Sequence, residues 1–149
     1  MTSMAGTKMT IAKLALTAIA SAASVMALSG VTAQADDSQS FVSPSGNITC
    51  GLGTFNGKAS ATCEIRDYSF TAPHCTQGGG NEFSVTEGQP ATPRCHTDTN
   101  FVPGRPVLQY GQSRSAGPIT CDSAPSGMTC TDTSTGHYFR VSRESYQLG

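Results

Sequence analysis

The residues with the richest chemistry in this chain are histidine and cysteine, and two pairs of them are mirror images: His74-Cys75 and Cys95-His96. Two thiolates and two imidazoles form a tetrahedral zinc set. In an oxidising compartment the same cysteines close a bridge instead, which withdraws the sulfurs and leaves two loop histidines beside it. The third histidine, His137, precedes Tyr138 and lies near Arg140, Arg143 and Tyr146. That polar-aromatic set is of the kind enriched at interfaces, and it forms a candidate recognition surface. The competing reading packs Phe139 and Val141 of the same run inward and leaves Tyr138 and Arg140 on a solvated face.

Catalytic signatures do not assemble. Gly111-Gln112-Ser113-Arg114-Ser115 stops short of a nucleophile elbow and has no strand-to-helix context. Asp36-Asp37 lies near the start of the exported part, and Glu82 and Glu87 read as loop residues. A glycosidase needs carboxylates fixed across a cleft. Gly78-Gly79-Gly80 lacks the lysine and following helix of a phosphate loop. Asn47-Ile48-Thr49 has glycosylation spacing but reads as a turn leading into a strand. No catalytic residue, metal ligand or cofactor is assigned.

The first segment bears on the compartment. Lys8 and Lys13 precede an apolar run from Leu14 to Leu28, and Ala33-Gln34-Ala35 supplies a small-x-small exit. This is the tripartite pattern of a secretory signal peptide, with cleavage expected after Ala35 and Met4 or Met9 as alternative starts. The run is too short and too rich in Thr, Ser and Ala to read as a membrane anchor. The expected organisation is a signal peptide over 1–35, a flexible tail over 36–40 and one secreted domain over 41–149. Cleavage removes two lysines and leaves seven basic residues against ten acidic ones, the basic ones scattered singly. Nucleic-acid binding needs clustered positive charge and is excluded as a main function. Stable membrane insertion after cleavage is not expected.

All six cysteines fall in the exported part, so three disulfides are the first expectation. Spacing alone leaves 15 pairings open. Four of the six sit in the same dipeptide: Thr49-Cys50, Thr62-Cys63, Thr120-Cys121 and Thr129-Cys130. Two residues before each cysteine stands Ile48, Ala61, Ile119 or Met128. On a strand, residues i and i−2 share a face, so these cysteines point inward and the threonines to solvent. Asn56-Gly57 turns the first pair of strands into a hairpin, and Asp122 to Gly127 turns the second. Facing cysteines on adjacent antiparallel strands can be bridged. The expected pairs are Cys50–Cys63 and Cys121–Cys130, leaving Cys75–Cys95 for the loop region between. Further strands are expected at Phe83–Val85, Val107–Tyr110 and Tyr138–Val141, with prolines keeping the middle loop-rich. The fold class is all-β, a small disulfide-stapled domain of short antiparallel strands and hairpins behind a signal helix. Pro44-Ser45-Gly46 and Pro125-Ser126-Gly127 each launch a Thr-Cys strand, a short internal echo.

Ser43-Pro44-Ser45-Gly46-Asn47-Ile48-x-Cys50, Cys63-Glu64-Ile65, Tyr110-Gly111, Gly127-x-Thr129-Cys130 and Gly136-His137-x-Phe139-x-x-Ser142-Arg143-x-x-Tyr146 follow one another in order. In this the chain resembles an uncharacterised family of small secreted actinobacterial proteins. The resemblance implies export, paired cysteines and a single domain, and it implies no activity. Where members carry Trp between the second and third cysteines, this chain has Tyr68 and Phe70.

Small size, cross-linking and the missing catalytic constellation together point to a non-enzymatic binding module. Its expected partner is a protein, glycan or other cell-envelope component. A small hydrolase using His137 or His74 is the alternative. A protease inhibitor presenting the Pro90–Pro106 loop beside Cys95 is a special case of binding.

Overall fold

Alternation of apolar and polar residues over short runs, punctuated by Gly, Pro and Asn, produces strands throughout. A computed structural model describes residues 38–149; the signal segment and cleavage site expected at 1–35 lie outside the described residues. Ten strands form: β1 (Gln39–Val42), β2 (Ile48–Phe55), β3 (Lys58–Ile65), β4 (Gly79–Thr86), β5 (Thr92–His96), β6 (Ser113–Ala116), β7 (Ile119–Ala124), β8 (Gly127–Asp132), β9 (Tyr138–Val141) and β10 (Tyr146–Leu148). They make two antiparallel meanders, β1-β2-β3-β4-β5 and β6-β7-β8-β9-β10, each strand pairing with its neighbours in sequence. The sheets lie face to face, β2 over β6, β3 over β7, and β4 over β8 and β9. Among the described residues no helix is long and apolar enough to cross a membrane.

The three disulfides are Cys50–Cys63, Cys75–Cys95 and Cys121–Cys130. Cys50 stands opposite Cys63 on β2 and β3, and Cys121 opposite Cys130 on β7 and β8. Phe83 continues the first row on β4 and Phe139 the second on β9. Each sheet thus carries the same inward row of two bridged cysteines and a phenylalanine. The rows meet in the core, where Cys63 Sγ and Cys130 Sγ approach to 3.7 Å and the Phe83 and Phe139 rings to 6.3 Å. A fully buried phenylalanine contributes about 1.5–3 kcal/mol. Closing a loop of this length by a disulfide contributes about 3 kcal/mol in the chain-entropy model. The core therefore rests on both. The shared row equates β2 with β7, whereas the Pro-Ser-Gly echo aligns β2 with β8, so that echo reflects similar turn chemistry.

Several expectations change. Val107–Tyr110 is not a strand: Val42 N donates to Pro106 O, Leu108 N donates to Val42 O, and a single bridge results. Pro106 has no N–H to continue a ladder. Gly79 and Gly80, read as flexible, belong to β4. A Cβ at Gly80 would sit 2.2 Å from Pro73 O, so glycine is required by close packing. Gln39 and Ser40, placed in the tail, pair with Leu52 and Gly51 in β1. Thr49, expected to face solvent, is buried because the segment after β5 covers its face of the sheet. Phe70, beside Tyr68, caps the core by packing on Phe83 and Tyr146.

Candidate functional site

The outer face of the first sheet carries the strongest electrostatics. Glu64 on β3 and Glu82 on β4 are cross-strand partners, and both are buried. Directly opposed like charges repel. The segment 97–105 folds over them and offsets this. Thr99 Oγ1 and Asn100 N donate to Glu64 at 3.0 and 2.5 Å, and Asn100 Nδ2 donates to Glu82 at 2.6 Å. Arg94 Nε lies 3.5 Å from Glu82. Burial pushes the Glu82 carboxyl above its ordinary range, opposed by Arg94 and His96 and reinforced by the Glu64 charge. Arg105 donates to Thr49 Oγ1, and the Arg66 guanidinium lies 4.0 Å over the Phe101 ring, so the segment is pinned at several points. A cleft of about 370 Å³ opens beside it, with Glu82, Arg94, His96, Asn100 and Arg105 in its wall and Phe55 at its edge.

Ligand atoms of Glu64, Glu82 and His96 lie within 4.8 Å of one another, residue types that hold metals. Their present bonds say otherwise. His96 Nδ1 is 2.5 Å from the Asp98 carbonyl, and Nε2 is 2.9 Å from Asn81 Oδ1. Asn81 Nδ2 donates to Ile65 O, which fixes that amide's orientation. Both imidazole nitrogens face carbonyl oxygens at hydrogen-bond distance, so a metal on either would have to displace one of these contacts. Nor do the two carboxylates face each other across a substrate gap: Glu64 lies under the covering segment and outside the cleft wall. Glu82, His96 and Arg105 of the outer cleft are occupied in holding 97–105 on the sheet.

The second cleft, about 300 Å³, opens at one end of the sandwich between the turns β1–β2, β7–β8 and β9–β10. Residues distant in sequence converge there, among them Ser43, Asn47, Tyr110, Gly127 and Arg143. Ser123 is at its wall. Ser123 and Asp132 are both buried, and both lie on the inward face of the second sheet, on β7 and β8. Asp132 is saturated: Ser134 N and Oγ, Gly88 N and Thr135 Oγ1 all donate to it. Those bonds hold its carboxyl far below the usual range, the Ser134 hydroxyl first among them. Ser123 is the opposite case. Its backbone pairs with Gly111 and Gln112, but its buried Oγ has no hydrogen-bond partner. An unmatched buried hydroxyl costs about 1–3 kcal/mol, so a partner from outside the chain is favoured there. The same backbone pairing seats Tyr110, 46% exposed, beside the cleft.

The candidate recognition surface is dispersed. Tyr146 packs against Phe70 and Phe83, and Arg140 Nη2 donates to Ser126 O. Tyr138 pairs through its backbone with Gly149, and the backbone of His137 closes the turn on Asp132 and Thr135. Arg143 alone of the five lines the end cleft, and His74 and His137 line neither cleft. Glu82, read as a loop residue, sits within β4 opposite Glu64. Sequence reasoning missed that pair and missed Ser123. Glu64 was visible as the polar residue next to Cys63, and Ser123 as the i+2 neighbour of Cys121 on the inward face.

The model of a family described as "Family of unknown function (DUF6636)" matches residues 20–148, and the chain belongs to that family. No curated protein and no solved structure matches the chain.

Proposed function

We propose that this member of a family of unknown function is an exported, non-enzymatic binding domain that takes its ligand in the end cleft. The observation that carries the reading is the Ser123 hydroxyl, buried and unpartnered at the wall of a cleft built from both sheets. Concave sites with a few convergent polar groups are where small ligands bind. The outer cleft competes poorly, because Glu82, His96 and Arg105 in its wall already bond to the chain. Export is supported by the signal-like start and by three disulfides, which persist in oxidising compartments. A non-catalytic role is supported by the histidines: among the described residues the only ring nitrogens in hydrogen bonds are those of His96, and both face amide oxygens.

The test immobilises the oxidised protein and passes envelope and culture fractions over it, beside two variants. Ser45→Trp fills the end cleft from an exposed position, and Arg94→Ala alters the outer one. Retention of a fraction by the parent and by Arg94→Ala but not by Ser45→Trp is expected. Equal retention by Ser45→Trp rejects the end cleft.

A further inference from the structure

We infer that the ligand of the end cleft is a neutral saccharide, held as one or two sugar rings of a larger glycan. This rests on the proposal that the end cleft is the binding site, and it adds the chemical class.

Three features of the cleft select it. First, the buried Ser123 Oγ both donates and accepts, so its matching group is one that can do the same or either; a sugar hydroxyl fits in both senses. The Ser43 and Ser45 hydroxyls, 3.0 Å apart, extend the same chemistry across the wall. Second, the charge at the rim is mixed. Asp67 and Glu144 stand with Arg143, and the one ion pair among the described residues is Arg94–Glu82 on the other cleft. Two carboxylates against one guanidinium do not draw a phosphate or a polyanion, but carboxylate and guanidinium together bond vicinal hydroxyls well. Third, Tyr110 presents an exposed ring beside Pro125 and Met128. An aromatic face next to hydroxyl-binding groups suits the C–H face of a sugar, which is apolar while its rim is polar.

A peptide fits less well. Strand addition needs a free sheet edge, and the wall here is made of three turns and the strand ends that flank them: Ser43 to Ile48, Ser123 to Met128 and Ser142 to Glu144. At about 300 Å³ the cleft is also small for more than a few peptide side chains and matches one or two pyranose or furanose rings.

The experiment titrates the ¹⁵N-labelled oxidised protein with neutral hexose- and pentose-based disaccharides of both anomeric linkages. A capped tripeptide and inorganic phosphate serve as the other arms. A disaccharide is expected to shift the amides of Asn47, Gly111, Ser123 and Gly127. Tyr110→Ala and Ser123→Ala are each expected to weaken that binding about tenfold while keeping the native amide spectrum elsewhere. Shifts of these amides by the tripeptide or phosphate but by no disaccharide overturn the saccharide inference and leave the end cleft as the site. A disaccharide that shifts Arg94 and His96 instead overturns the end cleft itself. No shift from any arm overturns both.

Discussion

Deleting a single oxygen by Ser123→Ala sets stability against binding in a way that few substitutions can. The hydroxyl is buried and makes no hydrogen bond, so the folded state carries its desolvation without return. That penalty is about 1–3 kcal/mol, and alanine keeps the Cβ and therefore most of the packing. In a domain of this size each kcal/mol moves the thermal midpoint by about 4 °C, which predicts a rise of roughly 4–12 °C. Ser43→Ala is the matched control. Ser43 Oγ accepts from Ile48 N and bonds Ser45 Oγ, so its loss leaves a buried N–H unpaired and lowers stability by about 1–3 kcal/mol. Both variants are read by thermal and urea unfolding of the oxidised protein, with the urea slope checked for constancy. A lower midpoint for Ser123→Ala at unchanged slope refutes the reasoning, since it means that the hydroxyl has a partner in the free protein.

Three other perturbations probe the frame around the cleft. Asp132 has a depressed pKa, so its contribution is complete above the ordinary carboxylate range, near pH 4, and is lost as pH falls toward its folded value. Asp132→Asn is expected to lower the thermal midpoint at pH 7 and to flatten its decline below pH 4; an unchanged acid limb contradicts this. Glu82 has a raised pKa, so it favours folding below its unfolded value and disfavours it as pH rises through the folded one. Glu82→Gln is therefore expected to raise the midpoint at pH 8 more than at pH 4, and equal changes at the two values contradict the burial argument. Removing Cys75–Cys95 by a double alanine substitution opens a 20-residue loop and is expected to cost about 3 kcal/mol. The other two pairs should survive, and peptide mapping that links Cys50 or Cys63 to Cys121 or Cys130 would show that the core depends on the third bridge.

Much of the fold was legible because period-two patterning and cysteine position reinforce each other. Ile48-Thr49-Cys50 and Ala61-Thr62-Cys63 place each cysteine on a face, and Asn56-Gly57 fixes the register that brings them opposite. At Asn56 φ is +50° and at Gly57 +76°, the backbone that a two-residue hairpin turn demands. What local pattern cannot carry is the layer above a sheet. Thr49 looks like any exposed strand threonine until Asn100 and Arg105, some fifty residues on, cover it. Glu64 is likewise an ordinary outward residue, and Glu82 reads as a loop residue, until register sets them opposite each other. Val107 to Tyr110 has strand composition but no long partner, because Pro106 interrupts its ladder after one bridge. The end cleft was the least legible feature, since its wall draws on turns about a hundred residues apart. Ser123 acquires its significance only from what fails to reach it.

The most direct measurement is a crystal structure of the oxidised protein grown with a saturating neutral disaccharide. A sugar hydroxyl at hydrogen-bond distance from Ser123 Oγ, about 2.7–3.0 Å, with a ring stacked on Tyr110, is the predicted result. A saccharide absent from the end cleft, with Ser123 Oγ bonded to another protein atom or to an isolated ordered water, would contradict it.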